Sequence, residues 1–268
     1  MTVPRVRHYD ANYDRFSTDL YARIRREAFG EDIGQNSWLT ADEHDLFIHW
    51  MSLTAASRAL DIACGSGVTT LRVAERTGCA VVGIDMHGSA VAEGRAAAER
   101  AGLQSRARFE KGDASRPLPF DDASFDAVLC IDAINHLPDR PAVLAEWARV
   151  LKPAGVLVFT DPIVVTGPLT GEEMSVRSSI GFFLFVPPGT DERMLSGAGF
   201  DVTDVVDRTE NMAVTARRRR EARDRYGDDL RRIEGDETFE GQQRFLDVAA
   251  RLAAEGRLSR FAFRAVRR

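Results

Sequence analysis

Three aspartates in the first half of the chain stand at or just after the end of an apolar segment, where a carboxylate could bind the polar groups of a ligand. Asp61 lies in "RALDIA" four residues before Gly65, Asp85 ends "CAVVGID", and Asp113 ends "RARFEKGD". Gly65 and Gly67 belong to the turn "CGSGVTT", which leads into a predicted helix. Such a turn presents backbone N–H groups and the positive end of a helix dipole. These residue types predict a binding site for a polar ligand.

The turn alone fits NAD and S-adenosylmethionine equally well, and the surrounding residues separate the two ligands. Thr70 stands at the third position of the dinucleotide fingerprint G-x-G-x-x-G/A, which disfavours a pyrophosphate. Asp61 would repel a pyrophosphate but suits the ammonium of an amino-acid end. Asp85, 20 residues after Gly65, is placed to accept hydrogen bonds from both ribose hydroxyls. With Asp113 placed to accept from an adenine amino group, the pattern favours S-adenosylmethionine.

Short apolar segments alternate with helical stretches from residue 58 onward, and this alternation predicts the sheet that positions the aspartates. The segments lie at 58–63, 79–85, 106–113, 125–131, 155–161 and 200–206, with a last one in "RFAFRAVRR". Near-continuous apolar strands between helices indicate a parallel sheet covered on both faces. The predicted fold is therefore a doubly wound α/β domain, in which ligands bind at the carboxyl ends of the strands.

The predicted core spans residues 56–268; a helical segment precedes it and two long connections interrupt it. Residues 1–55 are predicted to form a helical arm or lid, because an apolar stripe at helical spacing precedes a T-x-x-E capping box. Long connections at 162–190 and 211–258 are predicted to be inserts that cap a substrate, the second of them helical. In the first insert, "GFFLFVPP" is expected to pack in the core, although it could also line an apolar pocket or form a dimer contact. In the second, "RRRREARDR" is expected to be a solvated helix with acidic partners four residues away.

The motifs "LDIACGSGVTT", "GID", "GDASRPLPFDDASFDAVLC" and "HLPDRPAVLAEWARVLKPAGVLVFTD" follow one another in this order between about residues 58 and 161. In that order and spacing they resemble class I S-adenosylmethionine-dependent methyltransferases. The arm and the long insert resemble the small-molecule branch, which includes ubiquinone-pathway, sarcosine, sterol and natural-product enzymes. The resemblance implies a Rossmann-like sheet of seven strands, with a helical insert before the last one. It also implies S-adenosyl-L-methionine as the cofactor and S-adenosyl-L-homocysteine as its product.

The resemblance assigns the following positions to cofactor binding: Asp61, Ala63, Gly65, Gly67, Asp85, Met86, Asp113, Ala114 and Ile131. It implies that the four positions before residue 70 hold the methionine end. Asp85 would bind the ribose, with Met86 packed beside the adenine. Asp113 and Ala114 would contact the adenine edge, and Ile131 would offer backbone contacts.

Methyl transfer from a sulfonium needs alignment and exclusion of water, and it needs a base only when the acceptor must lose a proton. His136, after the fourth predicted strand, is the candidate base, although it could equally shape its loop or touch the cofactor. Asp161 could orient that base, or it could be a strand-end acid before Pro162. Some sugar-modifying relatives carry a histidine where this chain has Asn135, which weakens the transfer of a His–Asp pair. No metal site is predicted from the histidine and cysteine spacing.

The substrate is predicted to be a small organic molecule in a partly enclosed, apolar pocket. Candidate contacts are Tyr13, Gln35 and Trp38 in the arm, together with His136. A net charge of -5 disfavours a broad nucleic-acid surface, and no run of about 18 apolar residues predicts a membrane span. The odd number of cysteines in or beside apolar runs suggests buried thiols in a reducing cytoplasm. Only two of the 36 basic residues are Lys, which hints at a GC-rich bacterial genome. A monomer and a homodimer are both compatible with the arm.

The sequence leaves the acceptor atom open among N, O and C, and it leaves rival functions to be tested. The fold and cofactor could serve a cyclisation or decarboxylation without methyl transfer. An NAD-dependent oxidoreductase is the second alternative, and a non-catalytic binding protein is the third.

Overall fold

The computed structural model describes residues 18–268, and the centre of this part is one mixed sheet of seven strands. The strands are β1 Arg58–Ile62, β2 Ala80–Asp85, β3 Ala107–Lys111, β4 Phe125–Cys130, β5 Leu151–Val165, β6 Phe200–Asp207 and β7 Leu258–Arg267. Their order is β3-β2-β1-β4-β5-β7-β6. Strands β1 to β5 are parallel, whereas β7 runs antiparallel to both β5 and β6. This topology confirms the doubly wound α/β prediction and places the reversal of strand order between β1 and β4.

Helices cover both faces of the sheet. They are α1 Asp19–Phe29, α2 Ala41–Met51, α3 Val68–Thr77, α4 Gly88–Arg100, α5 Arg140–Val150, α6 Gly171–Arg177, α7 Thr190–Gly197, α8 Thr209–Arg225, α9 Gly227–Glu234 and α10 Asp236–Ala254, with a 3-10 turn at Ile134–His136. Neighbouring residues of β1 point into two different hydrophobic cores. Leu60 packs in the core that contains Trp147, and Ala59 packs in the core that contains Phe47. Trp147 is fully buried, and burying an aromatic side chain contributes roughly 1.5–3 kcal/mol.

The two described helices of the predicted arm differ in their packing. Helix α2 is part of the sheet's own core through Phe47, Trp50 and Met51, whereas α1 packs against helices of the second insert. Thr40 caps α2 by accepting from the Glu43 N–H, as the capping box predicts. The Glu43 carboxylate does not complete the box and instead forms an ion pair with a buried arginine of β7. The division between arm and core at residues 55/56 remains a prediction.

The second insert is helical, as predicted, and comprises most of α8 together with α9 and α10. The expectation of a fully solvated α8 is wrong for two of its arginines. Arg223 is buried in an ion pair with Glu234, and Arg219 faces a cavity. Both side chains lie between α8 and neighbouring elements, so tertiary packing overrides the local pairing pattern. Arg217 does pair with Glu221, at 3.9 Å on the surface.

Candidate active site

A cavity of about 500 Å³ opens at the carboxyl ends of the parallel strands, beside the switch point between β1 and β4. It is lined by most of the residues that the sequence singled out: Asp61, Ala63, Gly65, Asp85, Met86, Asp113, Ala114, Ile131, Gln35, Trp38 and His136. Gly67 and Asp161 are not among its lining residues. Tyr13 lies outside the described residues.

Asp61 is buried at the end of β1 and is held by two hydroxyl groups that the sequence analysis did not assign. Its Oδ2 accepts hydrogen bonds from Thr69 Oγ1 at 2.6 Å and from Thr70 Oγ1 at 2.7 Å. Burial raises the pKa of Asp61 to about 6, and the charge of Asp85 adds to this shift. An ammonium beside this carboxylate would favour its ionised form. Thr70, which breaks the dinucleotide fingerprint, thus positions the carboxylate of Asp61.

Asp85 ends β2 and fastens the glycine turn to it. Its Oδ2 accepts from the Gly65 N–H and its Oδ1 from the His87 N–H, both at 2.9 Å. The backbone is left-handed at Ala63 (φ 54°) and Gly65 (φ 56°), which turns this stretch back toward the cavity. An ionised carboxylate has about four lone-pair sites, so Asp85 retains capacity for two ribose hydroxyls.

Gly67 has a structural role in place of the predicted close approach to the ligand. Its φ of 83° is left-handed, and a Cβ at this position would overlap the ring of Phe109. Gly67 therefore lets α3 start close to β3 and does not line the cavity.

After strands β2 and β3, the cavity is lined by the carboxylate of Asp113 and by the apolar side chain of Met86. Asp113 is exposed, and its Oδ1 accepts from the N–H and hydroxyl of Ser115 at 2.9 and 2.6 Å. These bonds lower the pKa of Asp113, which keeps the carboxylate ionised. Met86 is 61% exposed on the rim, an unusual exposure for a large apolar side chain. A carboxylate acceptor next to an exposed apolar surface fits an adenine ring.

His136 lies in the 3-10 turn after β4 and lines the cavity. Its Nδ1 is 2.8 Å from the carbonyl oxygen of Phe182, and its ring packs edge-on against Phe183. Because a carbonyl only accepts, this contact assigns the proton to Nδ1 and leaves Nε2 as the basic nitrogen of the neutral ring. Burial lowers the pKa of His136 below its usual 6.5, so the ring is neutral at neutral pH. Such an imidazole can accept a proton.

The structure does not bring Asp161 together with His136 as the sequence analysis suggested. Asp161 is fully buried, and its two oxygens accept from Arg140 Nη1 at 2.6 Å and from the Ile163 N–H at 3.1 Å. Arg140 also pairs with Asp191 at 2.7 Å. The strand-end acid therefore holds a buried arginine, and its charge also acts on His136, whose pKa it raises against the larger effect of burial.

Arg140 anchors the loop that forms one wall of the cavity. Its Nη2 donates to the carbonyl of Leu184 at 3.1 Å, while the Leu184 N–H donates to the Asn135 carbonyl at 2.8 Å. The residues just before this anchor, 181–183, line the cavity, and Phe182 is 51% exposed. The expectation that "GFFLFVPP" packs in the core is thus wrong for its first part, because the anchor at Leu184 leaves that part facing the cavity.

The remaining wall is aromatic and comes from the arm and the inserts. Trp38 stacks on Phe245 of α10 with ring centroids 6.3 Å apart, and the guanidinium of Arg177 lies 4.4 Å from the Phe245 centroid. Gln35 also lines the cavity, but its amide closes its own loop through Glu31 and Ile33. Its predicted substrate contact remains untested.

A buried ion-pair network, absent from the sequence analysis, holds Trp38 in place. Arg260 of β7 donates to Asp132 at 2.7 Å and to Glu43 at 2.6 Å, and its side chain is inaccessible to solvent. Asp132 in turn accepts from the Trp38 N–H at 2.9 Å. The sequence around Arg260 did not indicate that it is paired, because Glu43 and Asp132 are 217 and 128 residues away along the chain.

Residues 18–268 contain no disulfide, no metal-binding cluster and no membrane-spanning helix. The three cysteines are buried free thiols. Within this range, no group of three or more His, Cys, Asp or Glu side chains is placed to hold a metal ion. No helix there has the length and apolar character needed to cross a membrane.

Comparisons with known proteins agree with this geometry. Residues 60–159 match the family model described as a methyltransferase domain. The chain is 33% identical over 177 residues to a 27-O-demethylrifamycin SV methyltransferase of Amycolatopsis mediterranei, covering 63% of each protein. The match thus spans less than two thirds of that relative.

Solved structures share the fold over almost the whole chain. The cyclopropane synthase MmaA2 of Mycobacterium tuberculosis aligns with a TM-score of 0.83 at 19% identity, covering 97% of both chains. The [4+2]-cyclase SpnF aligns with a TM-score of 0.77 at 22% identity, covering 100% of this chain and 99% of that one. Together, the sheet order, the strand-end carboxylates and the domain match identify residues 60–159 as a methyltransferase domain with the Rossmann-like fold of S-adenosylmethionine-dependent enzymes.

Proposed function

We propose that the protein transfers a methyl group from S-adenosylmethionine to N, O or C of a small, partly apolar organic molecule. The observation that carries this proposal is the continuity of one cavity from the strand-end carboxylates to an aromatic wall. The first region suits an amino acid joined to a nucleoside, and the second suits an apolar acceptor. The inserts at 162–190 and 211–258 contribute to the aromatic wall and would serve as its cap, which disfavours a macromolecular substrate.

Different residues of the cavity would bind the cofactor and accept the proton. Asp61 would pair with the ammonium of the cofactor, Asp85 would bind the ribose, and Asp113 would accept from the adenine amino group. The bound cofactor supplies an electrophilic methyl group on a sulfonium with a good leaving group. His136 would accept a proton from an acceptor that must lose one, with its Nδ1–H held on the Phe182 carbonyl. The enclosing wall would exclude water and align the acceptor.

Tailoring of a natural product in a bacterial cytoplasm is the role we favour. The support is the similarity to the methyltransferase of Amycolatopsis mediterranei, whose name gives 27-O-demethylrifamycin SV as its substrate. The alternative is the same cofactor site without methyl transfer, for which the full-length similarity to the cyclase SpnF gives a specific reason. Either a monomer or a homodimer is compatible with the cavity, whose described walls belong to one chain.

The first experiment is a calorimetric titration of S-adenosylmethionine, S-adenosylhomocysteine and NAD into the wild type and Asp85→Ala. We expect both sulfur compounds to bind and NAD not to bind. Loss of hydrogen bonds to a charged group predicts binding of Asp85→Ala weaker by about 1–3 kcal/mol. Because Asp85 also holds Gly65, Asp85→Asn serves as the structurally conservative variant, and the exposed Asp121→Ala as the control.

Two results of this titration would contradict the proposal. Binding of NAD in preference to the sulfur compounds would show that the glycine turn serves a dinucleotide. Equal binding by the wild type and both Asp85 variants would remove the ribose assignment. A later screen of acceptors would measure S-adenosylhomocysteine per turnover, because a cyclase-type enzyme converts its substrate without producing it.

A further inference from the structure

The charges that line the cavity are separated by sign. Its carboxylates all lie at or directly after strand ends: Asp61, Asp85, Asp113 and Asp132. The arginines among its lining residues are Arg177 and Arg219, which belong to the two inserts. The strand edge therefore favours the positive parts of a ligand, and the insert side favours a negative one.

Arg219 differs from the arginines around it in having no acidic partner among the described residues. Its neighbours Arg25 and Arg223 pair with Asp32 and Glu234, respectively. No carboxylate of residues 18–268 lies within 4.0 Å of Arg219. Its hydrogen bond is to the neutral Oδ1 of Asn36, at 3.4 Å.

This guanidinium is charged but poorly compensated. Burial lowers the pKa of Arg219 to about 10, and the charges of Arg223 and Arg25 contribute to the shift. The group is therefore still protonated at neutral pH. A partly buried cation without a counter-ion is unfavourable, and an anion bound in the cavity would offset this cost.

Arg177 plays a different part on the same side of the cavity. Its buried guanidinium lies over aromatic rings, 5.7 Å from the centroids of Trp38 and Phe183 and closer to Phe245. It stabilises the aromatic wall by cation–π contacts. Arg219 is thus the guanidinium that we assign to an anionic ligand group.

We propose that the methyl acceptor carries an anionic oxygen group, a carboxylate or a phosphate, which Arg219 binds at the insert side of the cavity. This inference rests on the proposed function and narrows its substrate class. The apolar body of the substrate packs on Trp38 and Phe245, and its acceptor atom lies toward the strand edge. Arg219 is a specificity-determining residue, since a neutral analogue would leave its charge uncompensated.

The test uses three probes of similar size, benzoate, phenyl phosphate and benzamide, with protein saturated by S-adenosylhomocysteine. Binding is followed by ligand-observed NMR and by the shift in melting temperature. We expect at least one anion to bind about 10-fold or more tightly than benzamide, as for a charge-assisted hydrogen bond. Preference for benzoate or for phenyl phosphate then distinguishes a carboxylate from a phosphate substrate.

Variants at adjacent positions of α8 separate recognition from folding. Arg219→Gln should lose the preference for anions, and Arg219→Lys should keep part of it. Arg218→Gln is the matched control, because Arg218 is exposed on the same helix and does not line the cavity. It should bind the anions as the wild type does.

Several results would overturn the inference. These are equal binding of acid and amide by the wild type, no binding of either anion up to tens of millimolar, or a preference that survives in Arg219→Gln. S-adenosylhomocysteine is titrated into every variant as well. If it binds while the anions do not, the substrate class is wrong and the proposed function stands. If it fails to bind the wild type, the proposed function itself fails.

Discussion

At the scale of single residues, the site depends on side chains whose protonation is set by their immediate neighbours. Burial raises the pKa of Asp61 to about 6 and lowers that of His136 below its usual 6.5, so it shifts each group toward its neutral form. The two shifts have opposite consequences for function. At neutral pH Asp61 is still largely ionised, and an ammonium of the ligand would stabilise that charge, whereas His136 is already in the neutral form that accepts a proton.

His136→Gln tests the assignment of the base. For an acceptor that must lose a proton, we expect kcat to fall about 10²–10⁴-fold, the usual contribution of general base catalysis. The affinity for S-adenosylhomocysteine should stay unchanged. In the wild type, kcat/KM should fall only when the pH drops below the usual histidine pKa of 6.5, because burial lowers the pKa of His136. This acidic limb should be absent from the variant.

The exposed His49→Gln variant is the control for this experiment, since His49 lies on α2 away from the cavity. Unchanged kcat and an unchanged pH profile in His136→Gln would leave His136 with the role of shaping its loop.

At the scale of elements, the wall of the cavity depends on how the loop before α7 is fastened to the sheet. Arg140 at the start of α5 joins Asp161 of β5 to Asp191 of α7 and holds the Leu184 carbonyl. Two carboxylates share one guanidinium in a buried place. Their mutual repulsion makes this junction sensitive to pH.

Asp191→Asn should change how stability depends on pH. Burial, together with the charge of Asp161, raises the pKa of Asp191 from 3.8 to about 7. The folded wild type thus binds a proton more tightly than the unfolded chain, and its stability from this group falls as the pH rises from about 4 through 7. Relative to the wild type, the variant should gain on the order of 1–4 kcal/mol across this range.

Urea denaturation at a series of pH values measures this difference in the free energy of unfolding. Asp121→Asn, an exposed acid, is the charge-matched control. A constant difference between Asp191→Asn and the wild type at all pH values would contradict the assignment of the raised pKa to Asp191.

At the scale of the whole molecule, the last strand holds the first described segments on the sheet. Arg260 of β7 reaches Glu43 on α2 and Asp132 after β4, and Asp132 holds the backbone of Trp38. The stability of the fold and the position of Trp38 in the aromatic wall therefore both depend on the buried side chain of Arg260. Removing it would leave the buried carboxylate of Asp132 without its cation and that of Glu43 with only the longer pair to Arg208, at 3.6 Å.

Arg260→Met should lower the free energy of unfolding by about 3–5 kcal/mol, the cost of breaking a buried ion pair from one side. Arg264→Met on the same strand should cost less than about 1 kcal/mol, since its pair with Asp204 is partly exposed. Adding Glu43→Gln and Asp132→Asn to Arg260→Met should restore part of the loss. Similar stability of the two single variants in urea would show that the network does not hold the segments together.

The sequence by itself determined the doubly wound fold, the glycine turn and the carboxylates at the strand ends that line the cavity. Each of these depends on residues close together in the chain, where apolar periodicity and the spacing from Asp61 to Asp85 carry the information. Parallel strands then bring their carboxyl ends to one edge without any further signal. For the same reason, the predicted residues from Asp61 to Ile131 line one cavity, with Gly67 as the exception.

Only the tertiary structure decided the partners of the buried charges. Arg260 meets Asp132 across 128 residues and Glu43 across 217, distances over which no local pattern predicts pairing. The same limit left the role of Asp161 open between two interpretations, because its partner Arg140 is on another element, and it hid the position of Arg219, which belongs to a segment predicted to be a solvated helix. A buried charge takes whichever opposite charge the packing brings within reach, because solvent does not compensate it there. The charges and rings on the insert side of the cavity therefore became known only from the tertiary structure.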